Sequence, residues 1–251
     1  MFILPINRDA QPRKRPYVTY GLIFTNSVIW LLATVMGQNT ALINTYGYRA
    51  GTPSLLTLFT SMFLHVGLLH VAGNMWFLWM FAPKIEERLG GFWFLLGYVI
   101  CGMGGTCLYT LLAPGSLIPC VGASGAISGV TGMYFVLFPR SPFDLVLYFG
   151  WFRLKSFRAQ TRGAVGTWIG EQAVLGLLTT ALGSNGGGVA FWAHVGGFVT
   201  GLICGALDLP WASRAEREQI LHPLPLTQEE KDEIFADRVE KPSELTTLKL
   251  S

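Results

Sequence analysis

Charge is scarce in this chain, and acids are almost missing from most of it. Only 13% of its 251 residues are charged, about half the share usual in a soluble domain. Nine of the fifteen acids fall after Pro210, from Glu216 to Glu244. What precedes them is nearly acid-free and 51% of the whole chain is hydrophobic, with a mean hydropathy of +0.44. That composition excludes an ordinary water-soluble globule. The net charge of +3 mixes a basic, apolar body with an acidic end and says little about partners. Basic residues flank the apolar runs and form no patch interleaved with aromatics, which speaks against nucleic-acid binding. The four cysteines, Cys101, Cys107, Cys120 and Cys204, lack any C-x-x-C spacing. Neither a disulfide framework nor a zinc centre is expected from them; those in apolar segments read as small buried hydrophobes.

Long apolar runs are abundant, and a bilayer core needs about 20 apolar residues in helix. Six spans are expected: Thr19–Met36, the part of Leu55–Phe81 that begins near Leu68, Phe92–Leu112, Ser124–Phe138, about Ala164–Leu182, and Val189–Leu207. The first third of Leu55–Phe81 reads as a loop or interfacial segment. The basic stretch Arg8 to Arg15 leads into a run long enough to span, without a small-residue cleavage site, so a cleavable signal peptide is not expected. The fold class is therefore an all-α membrane protein with a six-transmembrane-helix bundle. Its parts are a basic N-terminus over 1–18, the membrane domain over 19–208 and a charged tail over 209–251.

Orientation follows from the basic residues. Arg8, Arg13, Lys14 and Arg15, then Lys84 and Arg88, then Arg140, Arg153, Lys155, Arg158 and Arg162 all fall on one side of such a bundle, against Arg49 alone on the other. Both termini are expected to be cytoplasmic, and the lipid bilayer is the protein's surroundings. His70 then lies at the outer end of the second span, Ser124 at the outer start of the fourth and His194 near the outer start of the sixth. Three segments thus bring polar residues to one shallow depth, where each is costly and marks function by default.

Those residue types suit acyl transfer. His70 and Asn74 are spaced i, i+4 and share a helical face. His65 precedes His70 by five positions and would point about 140° away on a continuous helix, so it reads as structural support in the preceding loop. Ser124 stands in Gly122-Ala123-Ser124-Gly125 at a loop-to-helix junction. Its backbone N–H is a free donor of a helix start, where the dipole favours negative charge. His194 is the best general base for the Ser124 hydroxyl. Gly197, Gly201 and Gly205 recur every fourth residue, and Gly125 with Gly129 answer them. Small-residue ridges of this kind let helices approach closely, which would bring His194 to Ser124. No acid completes a triad, and the Glu171-Gln172 pair reads as an interhelical polar contact. Glu86, Glu87 and Arg88 suit a capped, salt-bridged loop.

Together these residues resemble the rhomboid family of intramembrane serine proteases, over most of the chain up to Asp208. His65, His70 and Asn74 match its H-x4-H-x3-N pattern, Gly122 to Gly125 its G-x-S-G, and His194 to Gly197 its histidine-glycine motif. Glu86-Glu87-Arg88-Leu89-Gly90 resembles its turn after the second span. The resemblance implies Ser124 as nucleophile, His194 as base, and an oxyanion hole from His70, Asn74 and the Ser124 N–H. It implies transmembrane protein substrates, cleaved without metal or cofactor. The absence of a transit peptide favours a prokaryotic plasma membrane. Two positions depart from the pattern: Ser128 stands where many members carry an aromatic on the catalytic histidine, and Leu56-Thr57 where some carry Trp-Arg. A non-catalytic relative, or a small transporter or channel, are the competing readings; neither requires all four polar groups at one depth. Two segments complete the expectations. Phe143–Phe157 reads as an amphipathic element along the inner surface, and Thr227–Val239 as a short charged helix or a disordered stretch.

Overall fold

A computed structural model describes residues 2–6, 14–149, 152–182 and 188–208 of the chain. The expected tail, with Thr227–Val239, lies outside the described residues. The helices are α1 (Tyr17–Val35), α2 (Asn39–Tyr46), α3 (Leu55–Thr60), α4 (Leu68–Leu89), α5 (Gly91–Leu112), α6 (Ser124–Leu137), α7 (Thr161–Ala181) and α8 (Gly188–Asp208). Each of the six expected spans falls on one helix: α1, α4, α5, α6, α7 and α8. By length and composition, α1, α5 and residues Phe191–Asp208 of α8 are able to cross a membrane. A fourth crossing exists if Leu55–Phe63 and Leu68–Leu89, bent by 89° at their break, make one span. α6 is apolar but only 14 residues long. The molecule is a helical membrane protein.

Ahead of Leu68, α3 runs into a 3-10 turn at Ser61–Phe63, and residues 64–67, with His65, form the loop that leads into α4. More unexpected is a three-stranded antiparallel sheet of β1 (Phe2–Ile6), β2 (Pro142–Phe149) and β3 (Phe152–Gln160), in that order. Phe143–Phe157, expected as a single amphipathic element, folds back as the β2–β3 hairpin, Asp144 opposite Arg158 and Leu145 opposite Phe157. β1 extends it, from Phe2 opposite Tyr148 to Ile6 opposite Asp144. Pro5 is tolerated because β1 is an edge strand, where a missing N–H costs little. The all-α description therefore holds for the helical body and not for this sheet.

Glycine sets the spacing of the bundle. A Cβ on Gly197 would fall on the Gly125 carbonyl oxygen and one on Gly201 on the Gly129 carbonyl oxygen. On Gly205 it would lie 3.2 Å from Met133 Cα. α6 and α8 therefore meet backbone to backbone along the ridge seen in the sequence. α5 closes on α8 in the same way, with Gly196 against the Gly104 carbonyl oxygen. Around this seam Phe94, Tyr98, Val130, Met133 and Tyr134 are fully buried.

α1 begins at Pro16 with no side-chain cap of its own. Its free donors are met from α4: Glu86 accepts the Val18 N–H at 2.9 Å, the Thr19 N–H at 2.8 Å and the Thr19 hydroxyl at 2.7 Å. The residues Glu86 to Arg88 are thus the last turn of α4, not a loop, and they cap and bridge: Arg88 pairs with Asp208 at the end of α8. Since Glu86 is 7% exposed, Glu86→Ala strips buried donors of a charged acceptor. A loss of about 2–3 kcal/mol is expected, measurable as a lowered unfolding midpoint in micelles, while Glu87→Ala has a smaller effect.

Candidate active site

Four polar side chains predicted from the sequence line one cavity. His70 and Asn74 come from the first turns of α4, Ser124 from the start of α6 and His194 from the first half of α8, around a space of about 190 Å³. Ser61, Met62, Gly122, Gly125 and Ala193 also line it.

The floor of the site is held by the loop 113–123. Tyr48 and Cys120 exchange backbone hydrogen bonds at 3.1 and 2.7 Å, and Gly51 donates to the Ser116 carbonyl at 2.9 Å. The Gly122 N–H donates to the Ser61 carbonyl at 2.9 Å. Gly122 has φ +123°, and a Cβ there would lie 2.8 Å from His70 Cε1 and Nε2. Both the dihedral and the closeness of the imidazole require glycine at this position. Ser124 follows as the first residue of α6. Its N–H belongs to the unpaired set of a helix N-terminus, where partial positive charge accumulates.

Asn74 is buried, and its Nδ2 donor has no hydrogen-bond partner among the described residues. His70 Nδ1 is likewise buried and unpartnered among them. Buried donors are rarely left unmet, so such a group at a cavity wall calls for a functional explanation. His65 is fully buried, its ring set edge-on to His70 with centroids 5.0 Å apart. The Asn39 amide donates to its carbonyl at 3.1 Å. His65 thus lies beside His70 and outside the cavity lining.

His194 has partners that sequence reasoning missed. Its Nδ1 lies 2.7 Å from Gln172 Oε1 on α7. Trp168, one helical turn earlier on the same face, has its ring centroid 6.0 Å from the imidazole at an interplanar angle of 35°. Ser128, at the position where the family pattern places an aromatic, donates its hydroxyl to the His194 carbonyl at 2.6 Å and ties α6 to α8. Trp168 supplies the missing aromatic neighbour from another helix. The i, i+4 spacing of Trp168 and Gln172 was the available signal, but it does not say which face meets α8.

The Cys120 thiol also borders the cavity. Burial pushes the Cys120 thiol up to about 12, which leaves it protonated and unreactive at neutral pH.

Known proteins resemble the chain over this region. A family model for the Rhomboid domain matches residues 52–211. YdcA of Bacillus subtilis (strain 168), whose name places it among rhomboid proteases, is 31% identical over 138 residues, covering 53% of this chain and 68% of its own. Rhomboid protease GluP of the same organism is 31% identical over 137 residues, 51% of this chain and 26% of its own. Rhomboid-like protein 11, chloroplastic, of Arabidopsis thaliana is 31% identical over 122 residues, 49% of this chain and 42% of its own. The matched stretch thus spans less than half of the last two.

Proposed function

This chain belongs to the rhomboid family, with relatives named as proteases, and we propose that it is an intramembrane serine endopeptidase that cuts transmembrane segments of other membrane proteins. Ser124 Oγ attacks the scissile carbonyl carbon while His194 Nε2 takes its proton. The resulting oxyanion is held by His70, Asn74 and the Ser124 N–H. Collapse breaks the C–N bond, His194 returns the proton to the leaving amine, and an acyl-enzyme on Ser124 remains. Water, deprotonated by His194, then releases the acid product and restores the serine. No cofactor enters these steps. Gly122, Gly125, Gly197 and Gly201 keep the backbones close enough for this geometry, and His65 supports His70.

In this reading all six apolar helices cross the membrane, both termini are cytoplasmic, and the chain resides in a prokaryotic plasma membrane. Its parts are the basic N-terminus 1–18, the membrane domain 19–208 and the tail 209–251. The observation that carries the chemistry is a single cavity that joins Ser124, His194 and the unmet Asn74 donor.

A fluorophosphonate probe tests it. Labelling of the wild-type protein that disappears in Ser124→Ala is expected; labelling that persists in that variant, or an active preparation that never labels, rejects the serine mechanism. Removing one oxyanion donor by Asn74→Ala should lower kcat by about 10²- to 10³-fold. KM for a model transmembrane substrate should change little, because the donor acts on charge that exists only in the transition state.

A further inference from the structure

We propose that Gln172, supplied by α7, is a positioning residue that orients His194 toward Ser124. The inference rests on the serine–histidine reading above and adds to it. A neutral imidazole carries one N–H and one lone pair, and only the nitrogen with the lone pair can accept the serine proton. Gln172 presents Oε1, an acceptor, to His194 Nδ1 at 2.7 Å. That contact places the proton on Nδ1 and leaves the Nε2 lone pair for Ser124. An amide oxygen does this as a neutral hydrogen-bond acceptor. Gln172 is itself 9% exposed, so water competes little for the bond.

Three further contacts make the arrangement a clamp. Trp168 flanks the imidazole from the same face of α7, with centroids 6.0 Å apart. Trp168 also meets Phe77 of α4, ring centroids 6.0 Å apart, so α7 touches both the helix of the oxyanion donors and the helix of the base. Ser128 fixes the His194 backbone. The main chain of the base is therefore set by α6 and its ring by α7. The ring is held only while α7 lies against α8.

The test combines kinetics with the tautomer of His194, in the full-length protein in micelles. The chain has only four histidines, so 15N-histidine spectra can be assigned by single substitutions. In the wild type, His194 should be protonated at Nδ1. Gln172→Leu, close in volume but without an acceptor, should mix the tautomers and lower kcat by about 10- to 100-fold, part of what a positioned base contributes. KM should stay within about twofold, as expected when only a transition-state interaction is lost. Gln172→Glu, which keeps an acceptor oxygen, should restore the Nδ1–H tautomer and most of kcat; if Gln172→Leu fails to fold, this variant and the wild-type spectrum still decide. Nε2 protonation in the wild type overturns the proposal. So does an unchanged kcat in a folded Gln172→Leu protein, or a Gln172→Glu protein with neither the tautomer nor the activity. Ser124→Ala separates the two levels: cleavage that survives it rejects the serine–histidine reading and this inference with it, whereas an inactive Ser124→Ala beside a fully active Gln172→Leu rejects only the role of Gln172.

Discussion

His194→Ala is expected to lower cleavage of a transmembrane substrate by about 10⁴-fold or more, and Ser124→Ala to do the same. The two effects should not add. A nucleophile without its base, and a base without its nucleophile, each lose the same covalent path, so the double variant should be no slower than either single one. What remains in all three is substrate binding plus the oxyanion donors, which act independently of how the attacking water is made. Binding of the substrate should consequently persist in every variant. The measurement is kcat/KM for the four proteins reconstituted in vesicles, with binding followed separately. A double variant clearly slower than either single one, approaching the product of the two effects, would mean that Ser124 and His194 act independently, and the dyad would have to be abandoned.

The parts of this site that were legible in the sequence are those encoded by local spacing. Two residues four apart, His70 and Asn74, share a helical face wherever the helix goes, and the structure puts both on one cavity wall. Glycines at Gly197, Gly201 and Gly205 define a ridge on any helix, and an answering pair on α6 names the partner. Gly122, two residues before Ser124, belongs to a legible loop-to-helix junction, although not legibly to a place where His70 occupies the space a side chain would need.

What was not legible depends on tertiary choices that no window contains. Gln172 is an ordinary polar residue beside Glu171; its importance comes from the rotation of α7, which turns Oε1 to His194. The pair reads from the sequence as an interhelical contact, and it is Gln172 that reaches His194. Ser128 lost an expected aromatic, and the compensation came from Trp168 on a different helix. The sheet was hidden for a different reason. The continuous apolar run Leu145 to Phe149 has no period to distinguish strand from other structure, and its partner β1 comes from the start of the chain, far away in sequence.

The second large effect concerns the seam that delivers His194 to Ser124. Gly201→Ala is expected to destabilise the fold by about 3–5 kcal/mol, beyond the usual cost of overpacking by one methyl. The added carbon would land on the Gly129 carbonyl oxygen, and neither side of that contact is a flexible side chain that can step aside. α8 must move away from α6 as a body, which also withdraws the Gly197–Gly125 approach, the Ser128 bond to the His194 carbonyl and the imidazole itself. Activity should therefore fall even at temperatures where the protein remains folded. Gly73→Ala provides the contrast. It lies within α4 with nothing within 4 Å of its Cβ position, so it should gain up to about 1 kcal/mol from helix propensity and keep its activity. Unfolding midpoints and cleavage rates of the two variants, measured side by side in one detergent, decide the matter. Equal midpoints would show that the α6–α8 seam tolerates separation, and the close backbone approach would lose its role in assembling the site.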